Sequence, residues 1–124
     1  MLNISSDASV EHYPNWGAYG ASKAALDHLT ATLASEDAAN QSATVPGPDA
    51  SASDIRFYAV DPGDMNTAMQ QAAFPGQDIS DRRSPIEVVP ALLGLITHRP
   101  ASGRYRAGDG IAVAEPSARA AVAW

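Results

Sequence analysis

Tyr19-Gly20-Ala21-Ser22-Lys23-Ala24-Ala25-Leu26-Asp27-His28-Leu29-Thr30-Ala31-Thr32-Leu33-Ala34-Ser35 is the stretch on which the fold turns. Ala21, Ala25, Leu29 and Leu33, with Ala24, His28 and Thr32 beside them, recur at helical spacing. No Pro and no Gly after Gly20 interrupts them, and Asn15 or a neighbour offers a cap, so a helix over 19–35 is expected. Upstream, Met1-Leu2-Asn3-Ile4-Ser5 alternates apolar and polar side chains and runs into Ser6-Asp7-Ala8-Ser9, as a short strand ending in a loop does. Downstream, Ile55-Arg56-Phe57-Tyr58-Ala59-Val60 is apolar, aromatic and β-branched and stops at Asp61-Pro62-Gly63, the pattern of a buried strand entering a turn. A short helix from Thr67 to Ala73 is expected inside a mixed loop from Asp64 to Ser84. Ser84-Pro85-Ile86-Glu87 then combines a capping Ser, a first-turn Pro and a Glu at the third position, which predicts a helix from 85 to about 98 with Pro90 inside it. Gly103-Arg104-Tyr105-Arg106-Ala107 reads as a third strand. Strand, helix, strand, helix, strand with crossovers of this length describes right-handed βαβ units, a parallel sheet and the α/β class.

Composition narrows the function. The chain has 124 residues, 8 basic against 14 acidic, and a net charge of −6, which excludes a nucleic-acid partner or an anionic membrane surface as the expected target. Twenty-five residues are Ala and only eight are aromatic, so a thin core is expected. With no Cys, disulfides, thiolate metal sites and cysteine nucleophiles are excluded. The first residues carry no basic and apolar leader pattern, and the longest apolar run, Val88 to Ile96, is broken by Pro90 and too short for a bilayer; a cytoplasmic location is the expectation. Glu36 to Asp54 holds five Ala, three Ser, two Pro, four acids and no base, and is expected to be a flexible loop. The Ala-rich tail from Gly110 to Trp124 shows no period.

Tyr19 and Lys23 lie four apart, one turn along one helix face. A phenol is a poor acid or base at neutral pH, but a cation held one turn away favours the phenolate and makes proton exchange useful. Ser6, thirteen residues before Tyr19 at the end of the first strand, could donate a hydrogen bond to a carbonyl oxygen that gains charge; Ser5 precedes it. Lys23 is the one Lys beside seven Arg, at a position that suits a compact ammonium. Other groups carry less. His12, His28 and His98 read as surface or packing residues. A triad of Ser6, His28 and Asp27 is disfavoured because Asp27 and His28 are adjacent on a helix and point apart. Asp78, Asp81 and Glu87 are metal-ligating by type only, so no metal site is expected.

Asn3-Ile4-Ser5-Ser6, Tyr19-Gly20-Ala21-Ser22-Lys23-Ala24-Ala25-Leu26, and Asp61-Pro62-Gly63 with Thr67 occur in the order of the short-chain dehydrogenase/reductase family, which the chain resembles from Leu2 to about Asp109. The resemblance implies the C-terminal half of a Rossmann-like doubly wound parallel sheet, about three parallel strands with flanking helices over 1–109 and the tail 110–124 beyond it. It implies NAD or NADP as cofactor and a small carbonyl or alcohol as substrate. Ser6 would polarise the carbonyl and Tyr19 would pass the proton. Lys23 would hold the nicotinamide ribose and favour the phenolate, while Pro62, Gly63 and Thr67 would meet the nicotinamide end. It also implies a homo-oligomer formed through the helix that bears Tyr19. No Gly-x-x-x-Gly-x-Gly turn, which in the family receives the pyrophosphate, occurs in the chain. Two readings therefore stand at this point: an NAD(P)-dependent oxidoreductase, or an inactive fragment or interaction module of that family.

Overall fold

A computed structural model describes residues 1–43 and 54–107. Three strands, β1 (Leu2–Ile4), β2 (Tyr58–Asp61) and β3 (Gly103–Arg106), form a parallel sheet in chain order, with Leu2 opposite Tyr58 and Tyr58 opposite Gly103. The connections carry helices α1 (Gly17–Ala43), α2 (Ala68–Ala73) and α3 (Pro85–His98). No helix among the described residues is long and apolar enough to cross a membrane.

The alternation of strand side chains assigns the two faces. Leu2, Tyr58, Val60 and Tyr105 point to one side and pack with Leu92 and Leu95 of α3, which makes the small apolar core. Asn3 and Arg104 point to the other side, where the Asn3 amide donates to Thr30 Oγ1 at 2.9 Å and Arg104 Nε meets Asp27 Oδ2 at 3.0 Å, both on α1. Helices thus cover both faces of a sheet whose strands follow in order and run parallel. Two crossovers that step in one direction but pass on opposite faces have opposite hands, so only one obeys the right-handed rule expected of both. That rule reflects a strand feeding directly into its helix. The excursion over 62–84, which contains α2, separates β2 from α3, so the second connection does not feed its helix directly.

Local signals account for most boundaries. Thr67 Oγ1 accepts from Gln70 N–H at 3.2 Å and starts α2. At α3, the Glu87 carboxylate accepts from the Ser84 N–H at 2.7 Å and the Ser84 hydroxyl at 2.8 Å, and Pro85 occupies the first turn. β2 starts at Tyr58 instead of Ile55 and runs to Asp61. The largest correction is at 36–43, expected as part of the flexible loop 36–54 and found to be the last two turns of α1. Ala38, Ala39 and Ala43 are strong helix formers, and Gln41 Nε2 donates to Asp37 Oδ2 four residues earlier at 2.6 Å. The first helix breaker is Pro46. The remainder of that loop, 44–53, and the tail 110–124 lie outside the described residues.

Candidate functional site

The carboxyl ends of adjacent parallel strands are where an open α/β sheet offers a crevice. Here β1 ends into Ser5 and Ser6, β2 ends into Asp61-Pro62-Gly63, and the first turns of α1 stand beside both. They border a cleft of about 500 Å³ whose lining includes Ser6, Tyr19, Lys23, Pro62, Gly63 and Thr67, so every candidate site residue read from the sequence reaches one cavity.

Backbone geometry explains how they meet. A 3-10 turn over Asp7–Ser9 follows β1, with the Ser6 hydroxyl capping it by accepting from the Ala8 N–H at 3.2 Å. α1 crosses that turn so closely that a Cβ on Gly20 would lie 2.7 Å from the Ala8 carbonyl oxygen. Only a glycine allows this approach, which draws the neighbouring Tyr19 towards Ser6. Lys23, one turn on, donates from Nζ to the Ile4 carbonyl at 2.9 Å, and Nζ stands 5.7 Å from the centre of the Tyr19 ring. Ser5 is the wrong serine for the cleft chemistry: its hydroxyl is buried without a hydrogen-bond partner and its N–H is committed to the Val60 carbonyl at 2.7 Å. On the β2 side, Gly63 takes a positive φ of 72° and its N–H donates to Asp61 Oδ1 at 2.9 Å, while Arg83 Nη2 donates to the carbonyls of Pro62 and Ala107 at 3.2 and 3.0 Å. The Asp61 side chain is 3% exposed, and its second oxygen faces Arg106 Nε at 3.4 Å. The turn is thereby fixed from both sides.

A buried ion pair ties β3 to α1. Arg104 of β3 reaches Asp27 Oδ2 at 3.0 Å with both side chains about a tenth exposed, and its Nη2 also donates to the Ser6 carbonyl at 2.9 Å. Ser9 Oγ donates to the same Asp27 oxygen at 2.6 Å. Asp27 lies one turn beyond Lys23, so this one group ties the Ser6 backbone, the 3-10 turn and α1 into a single frame.

The cleft residues that the sequence reasoning passed over include Asp7, Tyr13, Trp16 and Phe74. Asp7 accepts from the Ser6 hydroxyl at 3.1 Å through Oδ1 and from the Tyr13 hydroxyl at 2.8 Å through Oδ2. The hydrogen bond to Asp7 raises the Tyr13 phenol above its ordinary value of 10.0. Trp16 stands edge-on to Tyr19, ring centres 5.4 Å apart, and lies 5.6 Å from Phe74 at 31°. A usable signal existed: Tyr13, Trp16 and Tyr19 fall within seven residues of a chain with eight aromatics in all. Among the described residues no cluster is placed to hold a metal ion; Asp78 accepts from the Ser80 N–H, and Glu87 caps α3.

Known proteins resemble the chain in sequence and in fold. The family profile described as short chain dehydrogenase matches residues 1–78. The benzil reductase ((S)-benzoin forming) IRC24 of Saccharomyces cerevisiae is 33% identical over 97 residues, which are 78% of this chain and 30% of that protein. Escherichia coli YciK, an uncharacterized oxidoreductase, is 30% identical over 96 residues, 77% of this chain and 32% of its own. A short-chain dehydrogenase from Escherichia coli, solved in complex with NADPH, superposes with a TM-score of 0.67 at 28% identity, covering 86% of this chain and 40% of its own. The chain thus spans about a third of the length of the curated relatives it matches. With the profile matching more than half of its residues and the three-stranded parallel sheet in place, the chain belongs to the short-chain dehydrogenase family.

Proposed function

We propose that the cleft reduces a carbonyl compound, or oxidises the corresponding alcohol, with a nicotinamide dinucleotide as partner. The observation that carries this reading is the convergence of Ser6, Tyr19 and Lys23 at the end of β1, facing the Pro62-Gly63 turn at the end of β2. Tyr19, Lys23, Pro62, Gly63 and Thr67 fit the nicotinamide end of such a cofactor: the cation lies beside the phenol, and the turn is stripped to a glycine where backbone must approach closely. The cofactor supplies or accepts a hydride when bound; NADP is favoured by the relative solved with NADPH.

The chain's own residues do the rest. The Ser6 hydroxyl turns from Asp7 and donates to the substrate oxygen, stabilising the negative charge that builds there. The Tyr19 hydroxyl delivers the proton to that oxygen during reduction and takes it back in the reverse direction. The Lys23 ammonium, fixed by the Ile4 carbonyl at 2.9 Å, holds a positive charge 5.7 Å from the centre of the Tyr19 ring.

Titration of the 124-residue chain with NADPH and NADH, followed by fluorescence, tests the reading together with absorbance assays on aldehydes and ketones. Micromolar nucleotide binding is expected, weakened in Lys23→Met, and turnover in Tyr19→Phe should fall by about 100-fold or more with binding nearly unchanged. Absence of binding by either nucleotide sinks the oxidoreductase reading for this chain. It would leave the second reading, an interaction module, which rests on the apolar residues that α1 and α3 turn outward, such as Leu29, Leu93 and Ile96.

A further inference from the structure

We infer that the cleft selects neutral aromatic carbonyl compounds that carry a hydrogen-bond donor next to the carbonyl, and that the Asp7 carboxylate rejects acid-bearing analogues. The inference rests on the carbonyl reading of the same cleft and adds its substrate class.

Two parts of the wall define that class. The first is apolar and aromatic, with Trp16 edge-on to Tyr19 and tilted by 31° from Phe74. Trp16, Tyr19 and Phe74 stand with ring centres 5.4 and 5.6 Å apart, and the thioethers of Met65 and Met69 complete the lining with side chains that adapt to an aromatic ring. Four of the chain's eight aromatics, counting Tyr13, are spent on this cleft and not on the core.

The second part is Asp7. Its two hydrogen bonds come from the Ser6 and Tyr13 hydroxyls, both neutral, so they orient the carboxylate without cancelling its charge. The other acids of the lining are differently placed: Asp61 faces Arg106 at 3.4 Å, and Asp64 lies 3.9 Å from Arg82. Among the described residues Lys23 is the one cation of the lining, and its Nζ is turned to the Ile4 carbonyl. A carbonyl that accepts from Ser6 brings its own substituent next to Asp7, because Asp7 holds that same hydroxyl at 3.1 Å. A carboxylate in that position meets a like charge in a partly enclosed site. A hydroxyl or amide instead offers Asp7 a donor to replace the one Ser6 withdraws, so the exchange of hydrogen bonds is balanced.

Benzoylformamide and benzoylformate test this, since they share ring and ketone and differ in an amide against a carboxylate. Binding to the chain carrying Trp124→Phe, in which Trp16 is the remaining tryptophan, is read by fluorescence quenching without cofactor. The amide should bind at least tenfold more tightly than the acid. In Asp7→Asn that preference should shrink by about tenfold, whereas Tyr13→Phe, which keeps the charge, should preserve it within threefold. Equal affinities in the parent chain, no binding of either probe, or a preference that changes less than threefold in Asp7→Asn overturns the inference. Because equilibrium binding is measured, a chain that transfers no hydride still gives the ordering, and a failed ordering leaves the hydride chemistry standing.

Discussion

Gly20 shows how much of the site hangs on one hydrogen atom. Its Cα stands against the Ala8 carbonyl, and the 2.7 Å that a Cβ would find there is closer than any side-chain carbon tolerates against backbone oxygen. Neither partner can yield cheaply, since Ala8 belongs to the 3-10 turn capped by Ser6 and Gly20 to the interior of α1. Gly20→Ala should therefore lower stability by about 1–3 kcal/mol, the usual cost of overpacking, despite the better helix propensity of Ala. Denaturant unfolding checks the magnitude. A stabilised variant would mean that α1 does not press on the turn as described. Gly17 is the internal control: nothing lies within 4 Å of a Cβ there, so Gly17→Ala should be neutral or stabilising.

At the level of elements, α1 docks on the sheet through polarity. Its buried residues are Asp27 and Thr30, which meet Arg104 and Asn3, while Ala21, Ala25 and Leu29 face outward. Asp27→Asn leaves the Arg104 guanidinium in a site a tenth exposed without its counter-charge, and should cost about 3 kcal/mol. Asp27→Leu combined with Arg104→Met removes both charges and should cost less than the sum of the single changes; additive losses in denaturant unfolding would show that the pair is not coupled. The opposite face behaves differently with pH. Burial raises the phenols of Tyr58 and Tyr105 above their ordinary value of 10.0, and their rings meet at 5.7 Å. A raised folded value means a contribution fully present below the unfolded value and lost as pH rises through the folded one. Melting temperature should thus drop as pH rises above 10, and less steeply in Tyr58→Phe, although that variant forfeits the bond to the Pro100 carbonyl at 3.0 Å. Equal slopes would place the alkaline loss elsewhere.

These elements also show what the sequence can and cannot say. α3 was legible because Ser84, Pro85 and Glu87 act within one turn, and the strands were legible because β-branched and aromatic runs end at Ser6 or Pro62. Ser6, Tyr19, Lys23 and the Pro62-Gly63 turn stand out as candidates in the sequence through their order and spacing, and the fold brings them to one cleft. Helical periodicity identified α1, yet the inward face belongs to Asp27 and Thr30, whose partners lie 77 and 27 residues away. The end of α1 at Ala43 was hidden because Ala, Ser and acids suit a helix as well as a loop when no breaker intervenes. The hands of the crossovers depend on which face each helix covers, and Asp7 and Tyr13 depend on a six-residue loop closing on itself.

For the molecule as a whole, the question is what covers α1. The helix is 27 residues long, about 40 Å, and its outer stripe of Ala21, Ala25 and Leu29 combines small side chains with a leucine that is 52% exposed. Small residues let two helices approach closely, so a second copy of the chain, laid antiparallel along this stripe, is the oligomer we propose. α3 is the rival surface, because Ile86, Leu93 and Ile96 are all more than half exposed. The two are separable by charge. Light scattering coupled to chromatography at about 100 μM should show a dimer that Leu29→Glu converts to a monomer and that Leu93→Glu leaves intact. Dissociation by Leu93→Glu alone would move the interface to α3, and a monomeric parent chain would end the proposal. Tyr19 and Lys23 sit on the same helix as Leu29 but are turned inward to the cleft, so dissociation by Leu29→Glu should leave nucleotide affinity within about threefold. Pairing through α1 would then serve to cover apolar surface and not to build the site.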